Sequence, residues 1–316
     1  MMPMRSLYRH FSGKGQHQRL SILIFHRVLE RPDSLFADEM HSSRFNEICG
    51  WLKTWFNVLP LDAAVAHLRS GNLPERAACI TFDDGYADNF QVAMPILQQN
   101  GLSACFFIAT GFLNGGCMWN DTVMESVRLC RLPTLDLTEL GLGQHVLATL
   151  VDRRRAIDLL VSQLKYRPLV ERQVLTEQLA RLARVLSPTH LMMTSAQVKS
   201  MRQAGMQVGA HTVSHPILAR MQAQDVRQEV MASRDYLEQL LGERIGLFAY
   251  PNGKPDEDYL PATADIVRGL GFDAAVSTQW GASCCADDLF QLRRFTPWDK
   301  SRLRFGLRLL QNLRSA

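Results

Sequence analysis

Four short stretches carry residue types suited to hydrolytic or metal chemistry. The first is Thr81-Phe82-Asp83-Asp84-Gly85-Tyr86, at the end of the apolar run Ala77–Phe82. Adjacent carboxylates repel when both ionise, so a cation or a shared proton is expected there; Asp-Gly also suits a plain turn. The second is His211-Thr-Val-Ser-His215-Pro216, after Met206–Ala210. Imidazoles four residues apart can converge on one metal where the residues between them make a helical turn. Two His and one Asp leave coordination positions open, as in catalytic rather than structural sites. The third is His26, closing Ile22-Leu-Ile-Phe, either a catalytic group or a structural histidine. The fourth is Phe248-Ala-Tyr250-Pro251-Asn252-Gly253, whose backbone N–H groups suit either an oxyanion site or a plain turn.

Each stretch follows an apolar run of strand length, and ligands of parallel α/β folds gather at the C-terminal ends of strands. Strands are predicted at Leu20–Phe25, Ala77–Phe82, Ala104–Ala109, Met206–Ala210, Ile245–Ala249, Phe272–Val276 and Leu289–Phe295. Helical periodicity lies between them, as in Asp225–Leu241, where Val226, Val230, Leu237 and Leu241 share a face. Another helix is expected from about Ser195 to Gly205. This alternation predicts an α/β fold with a mainly parallel sheet, open or closed into a barrel. From about Leu113 to Met192 the rhythm breaks: strand signal is slight and two amphipathic helices are expected. One carries Ile157, Leu160, Val161 and Leu164; the other carries Leu175, Leu179, Leu182 and Leu186. The segment reads as a helical insertion beside the active face. The C-terminal residues 300–316 interleave Arg302, Arg304, Arg308 and Arg314 with leucines and Phe305. They suit a terminal helix docked on the domain, or a basic amphipathic helix lying on an anionic membrane surface.

The 316 residues hold 35 Lys+Arg against 31 Asp+Glu, with 47% hydrophobic and 21% charged residues, a composition that excludes a disordered or collagen-like chain. A net charge of +4 over this length does not argue for nucleic acid. Seven cysteines, an odd number without CxxC, suggest neither a disulfide framework nor a thiolate zinc site; Cys79 and Cys105 lie in apolar runs and read as core residues. A reducing, cytoplasmic location is expected, peripheral to the inner membrane if the C-terminal helix binds lipid. The apolar run Leu20–Phe25 is too short for a secretory signal.

In their order and strand context, these motifs resemble the polysaccharide deacetylase family, the NodB-homology group of carbohydrate esterases. Thr81–Gly85 is similar to the family's first motif, His211–His215 to its second, and Tyr250–Gly253 to its third; the similarity covers most of the chain outside Leu113–Met192. His26-Arg-Val resembles the branch of biofilm poly-N-acetylglucosamine deacetylases, where the acid histidine comes early. The resemblance implies one catalytic domain over residues 1–316, a distorted β/α barrel with fewer than eight strands and the helical insertion. It also implies removal of an N-acetyl group from an amino sugar of a polysaccharide or its precursor. Asp83 is then the general base and His26 the general acid. Asp84, His211 and His215 hold a divalent metal, zinc foremost, with cobalt, nickel, manganese or iron also fitting the donors. Acetylated amino sugar is the implied partner, with an oxyanion donor at Tyr250 or Asn252.

Two departures stand out. The family's third-motif arginine, which holds the base, is Ala249 here, so Arg293 or Arg294 is expected to replace it, with Arg294 preferred. No late histidine follows His215, which leaves the acid role to His26. Trp119, beside Asn120 and Asp121, and Trp298 are candidate sugar-stacking residues. Alternative functions are a deformylase or amidohydrolase acting on a lipid- or nucleotide-linked sugar, and a non-catalytic carbohydrate-binding barrel. A non-haem iron oxygenase fits the strand–helix alternation poorly.

Overall fold

The computed structural model describes residues 4–13 and 15–315; the ends of the expected domain at residues 1–3 and at Ala316 lie outside them. The strands are β1 (Leu20–Phe25), β2 (Asn57–Val58), β3 (Ala77–Phe82), β4 (Cys105–Ile108), β5 (Thr134–Leu137), β6 (Gly143–Val146), β7 (Gln207–Ala210), β8 (Leu247–Ala249), β9 (Ala274–Trp280) and β10 (Leu292–Arg294). The helices are α1 (Met4–Phe11), α2 (Ser42–Trp55), α3 (Leu61–Ser70), α4 (Met94–Asn100), α5 (Trp119–Leu129), α6 (Leu150–Leu164), α7 (Leu169–Leu182), α8 (Ser195–Gln203), α9 (Ala223–Leu241), α10 (Pro261–Gly269) and α11 (Arg302–Arg314).

Strands pair in the order β1-β3-β4-β7-β8-β9-β10, all parallel, and β2 joins the start of β3. Beyond β10, Phe295 N–H donates to Ile22 O at 2.7 Å and Ile24 N–H to Phe295 O at 3.0 Å, so the last strand returns to the first and nearly closes a barrel. The strand period of two divides the apolar residues. Leu20, Ile22, Cys79, Cys105, Phe107, Leu247, Val276 and Leu292 form one core cluster with Leu61, Val65 and Leu68 of α3. These line the barrel interior and plug its N-terminal mouth. The alternate residues Leu23, Phe25, Ile80, Phe82, Phe106, Ile108 and Phe248 face outward and pack under the helices. Gly209 is required inside the barrel: a Cβ there would stand 2.5 Å from the Phe107 ring. Both buried cysteines of the central strands, Cys79 and Cys105, behave as small core residues.

The insertion has its own core, including Val123, Val127, Leu135, Leu137, Ile157, Leu160, Leu164 and Leu179. It differs from the expectation of two helices in three ways. A third helix, α5, opens it. An antiparallel hairpin, β5–β6, follows with Thr134 opposite Val146, its period-two signal confined to Leu135 and Leu137. The second expected stripe breaks, because α7 ends at Leu182 and Leu186 is 92% exposed. The helix at 195 begins one residue after its cap, Thr194, whose hydroxyl accepts the Gln197 N–H.

At the C-terminus, α11 buries Phe305, Leu309, Leu310 and Leu313. Tyr8 of α1 donates to Gly306 O at 2.9 Å, and Ser21 of β1 to Asn312 Oδ1 at 3.1 Å. This is the docked terminal helix; Leu303 and Leu307 remain on its outer side. Among the described residues, no helix is long and apolar enough to cross a membrane.

Candidate active site

The strand register brings four of the chemistry-bearing loops to one end of the barrel. Phe25 of β1 lies opposite Phe82 of β3, Ile108 of β4 opposite Ala210 of β7, and Ala210 opposite Phe248 of β8. His26, Asp83-Asp84, His211 and Tyr250–Gly253 each follow directly. Tight turns are needed where the loops leave: among the non-glycine residues with left-handed backbone are Asp84 (φ 76°), Thr212 (φ 64°), His215 (φ 51°) and Asn252 (φ 58°). Such strain concentrates where surrounding structure overdetermines a functional geometry.

The two aspartates point to different partners. Asp83 turns into the barrel mouth, where Arg294 grips it with both arms: Nη1 donates to Oδ1 at 2.8 Å and Nη2 to Oδ2 at 2.7 Å. Arg294 is itself 1% exposed and donates from Nε to Ser277 O at 2.7 Å. The planar guanidinium fork matches a carboxylate in this geometry, and lysine would not. Burial works to raise the Asp83 carboxyl, but Arg294 and then His211 outweigh it and hold the group below the ordinary carboxylate range. Arg293, the neighbour, points away and pairs with Asp287 at 3.7 Å.

Asp84 turns to the histidines. Its Oδ1 lies 3.4 Å from His211 Nε2 and 3.3 Å from His215 Nε2, and the three ligand atoms fall within 4.8 Å of one another. That oxygen is buried and accepts no hydrogen bond of normal geometry. A buried carboxylate oxygen without a hydrogen bond, facing two imidazole nitrogens, is the donor set of a divalent cation. The ring Nδ1 of His211 lies 2.7 Å from Ala249 O, an acceptor only, so Nδ1 carries the hydrogen and Nε2 offers its lone pair. Burial would raise Asp84, yet the proximity of His211 and His215 sets it far below its usual value. Burial lowers His215 to about 4, keeping it neutral at physiological pH. Burial would also lower His211, but Asp84 and Asp83 raise it above its ordinary value.

His26 stands exposed at the rim, beside Asp83 through the Asp83 N–H to Phe25 O bond of 2.9 Å. It lies near enough to act electrostatically on Asp83, Asp84 and His215. Neighbours that sequence reasoning missed fix this segment: Asn89 donates to His26 O at 2.8 Å, and Asp88 accepts from Arg27 Nε at 2.8 Å and Val28 N–H at 3.1 Å. Their one signal was position, in the first helical turns after Asp83-Asp84. The insertion reaches the site through Asp121 of α5, which accepts from the Tyr86 hydroxyl at 3.0 Å. Burial, against the opposing effect of Arg27, raises Asp121 to about 7.

The other expected residues sit differently. Tyr250 does not face the cluster: its hydroxyl donates to Phe290 O at 2.8 Å, its ring stacks on Tyr259, and its N–H is used by Val276 O. The reason is strand parity, which turns its side chain into the outer core. Asn252 lies on the loop after β8, its carbonyl accepting from Thr278 Oγ1 at 2.8 Å. Trp119 lies under the Arg172 guanidinium at 4.8 Å, beside a cavity of about 210 Å³ in the insertion. Trp298 projects into solvent, 72% exposed. Neither tryptophan is brought to the Asp/His cluster by a contact in the structure.

The family model described as polysaccharide deacetylase matches residues 70–131 and 170–275, more than half of the chain. The chain belongs to the polysaccharide deacetylase family. The curated "Putative polysaccharide deacetylase YxkH" of Bacillus subtilis (strain 168) is 20% identical over 278 residues, 87% of this chain and 70% of that protein. Among solved structures, the Streptococcus pyogenes deacetylase PplD, in complex with acetate, superposes with a TM-score of 0.62 at 22% identity, covering 93% of this chain and 98% of that one. IcaB from Ammonifex degensii gives 0.61 at 17% identity, covering 94% and 97%. At these identities the likeness to the solved structures is one of fold.

Proposed function

We propose that this member of the family hydrolyses the N-acetyl group of an amino sugar in a polysaccharide or its precursor, with zinc as the cation held by Asp84, His211 and His215. The observation that carries the proposal is the split of the adjacent aspartates, one against Arg294 and one against two imidazoles. When bound, a divalent cation polarises the acyl carbonyl and lowers the pKa of water, so that a base as acidic as Asp83 suffices. The Arg294 fork keeps Asp83 ionised and aimed. Asp83 accepts the proton of water as its oxygen adds to the acyl carbon. The Asn252 N–H is the donor proposed for the oxyanion. His26, at the rim of the barrel, gives a proton to the amide nitrogen as the C–N bond breaks, which yields acetate and the free amine.

The test joins metal content with product. Purified wild-type protein is expected to hold about one divalent ion per chain, and Asp84→Ala none. The wild type is expected to release acetate from acetylated chito-oligosaccharides. Formate release from an N-formyl sugar without acetate release would move the proposal to the deformylase alternative; binding of the sugar without either product would favour the non-catalytic barrel. We also propose a cytoplasmic site of action with peripheral membrane contact through α11, supported by exposed Leu303 and Leu307 beside Arg302 and Arg304. Failure to co-float with anionic lipid vesicles would remove the membrane part.

A further inference from the structure

One side chain from the next α-helix reaches back to the loop that carries both histidines. Glu229, on α9, accepts through Oε2 from the Val213 and Ser214 N–H groups, both at 2.9 Å, and through Oε1 from Ser214 Oγ at 2.7 Å. Val213 and Ser214 are two of the three residues between His211 and His215. The other side of the loop rests on the turn after β4: Thr110 N–H donates to Thr212 O at 3.1 Å and Gly111 N–H to Val213 O at 2.9 Å. The fit there is tight, since a Cβ on Gly111 would stand 2.7 Å from Val213 O.

This loop needs holding. Thr212 and His215 flank the gripped pair, and both have left-handed backbone that residues with a Cβ disfavour. The Thr212 hydroxyl helps by accepting the His215 N–H at 3.1 Å. His211, just past β7, has independent anchors in Ile108 O, which accepts its N–H at 3.1 Å, and in Ala249 O, whereas His215 lies four residues further on and depends on the loop path. Two backbone N–H groups converging on one carboxylate oxygen, with a hydroxyl on the other, make a charge-assisted three-point clamp.

We propose that Glu229 is a positioning residue for the metal centre: its carboxylate clamps the Val213–Ser214 backbone so that His215 stays aimed at Asp84. The inference rests on the reading of Asp84, His211 and His215 as cation ligands. A purely structural tie between α9 and the loop would affect folding alone; a positioning role sets cation affinity. Glutamine preserves the clamp's shape, because its amide oxygen accepts the two N–H groups and its NH2 faces Ser214 Oγ. Aspartate keeps the charge but is one methylene too short to span the gap.

The experiment is titration of Co²⁺ and Zn²⁺ into metal-free full-length protein in competition with a chromophoric chelator, with the melting temperature of each metal-free protein measured beside it. Glu229→Ala is expected to weaken affinity about 10- to 100-fold, in the range for groups that hold metal ligands in place. Glu229→Gln is expected to lie within a few-fold of wild type, and Glu229→Asp between Gln and Ala. Wild-type affinity in Glu229→Ala, even with a lowered melting temperature, overturns the proposal. Should the Ala variant not fold, wild-type affinity in Glu229→Asp does the same. If the wild type itself binds neither ion, the metal-site reading fails.

Discussion

Replacing Arg294 with methionine isolates the tie that holds Asp83. The substitution keeps an unbranched apolar stem in the barrel and removes both arms of the fork, leaving a carboxylate that is 2% exposed without its partner. Breaking a buried ion pair from one side costs about 3–5 kcal/mol if the remaining charge stays ionised. Asp83 can avoid that cost by taking up a proton, and each unit of rise in its pKa corresponds to about 1.4 kcal/mol. The carboxyl therefore titrates above its ordinary range in Arg294→Met. That cost corresponds to about 2–4 pKa units, so the proposed base moves toward neutrality and is partly protonated at pH 7; kcat/KM is expected to fall about 10-fold at pH 7 and further as pH falls, part of the loss coming from the lost aim. The pH–rate profile separates this from general damage. In the variant the acid limb moves toward neutral pH and activity partly returns above pH 8.

Stability should change sign with pH in parallel. In the wild type the depressed Asp83 carboxyl stabilises the fold above its unfolded pKa, and that stability is lost as pH falls through the lower folded value. With the folded pKa raised in Arg294→Met, the same group instead loses stability as pH rises. Denaturant unfolding of metal-free protein between pH 5 and 8 measures the slope. The double variant Asp83→Asn with Arg294→Met should recover stability relative to Arg294→Met, because no uncompensated charge remains. An acid limb and stability slope unchanged in Arg294→Met would refute the view that Arg294 keeps the base ionised.

Three other outcomes follow from the same geometry. Asp83→Asn should reduce acetate release by about 10²-fold or more while metal content, by elemental analysis, stays at the wild-type level. His26→Gln should lower kcat, with cation affinity by chelator competition changed far less than in Asp84→Ala. The carboxyl of Asp121, raised to about 7, stabilises the metal-free fold most below the unfolded value of 3.8 and loses that contribution as pH climbs through about 7. Denaturant unfolding of Asp121→Asn should accordingly show a shallower decline between pH 4 and 7 than wild type.

Much of the site was legible because parallel strands advertise their ends. An apolar run stopped by Asp83-Asp84, and another stopped by His211, places those side chains at one mouth whenever the strands share a sheet. Local spacing supplied the His211–His215 pair, and His26 came from its place at a strand end together with the resemblance to a branch whose acid histidine is early. The insertion was less legible. On β5 only Leu135 and Leu137 point inward, joined from β6 by the polar His145, too short an alternation to stand out, and Leu186 continued a helical stripe past the point where α7 ends.

By itself the sequence determined which chemistry arrives at the barrel mouth: paired carboxylates, paired imidazoles and a third histidine, each carried by a run of buried strand residues. Only the tertiary structure decided how they divide the work. Arg293 and Arg294 are adjacent and alike in composition, but a strand sends neighbours to opposite faces, so one pairs with Asp287 and the other enters the barrel to hold Asp83. The same parity turns Tyr250 away from the cluster. Glu229 occupies a polar position on α9, where the periodicity of that helix cannot distinguish a solvated carboxylate from a clamp on the loop that precedes it. Strand parity and cross-chain contact depend on three-dimensional register, which residue types and their local spacing do not encode.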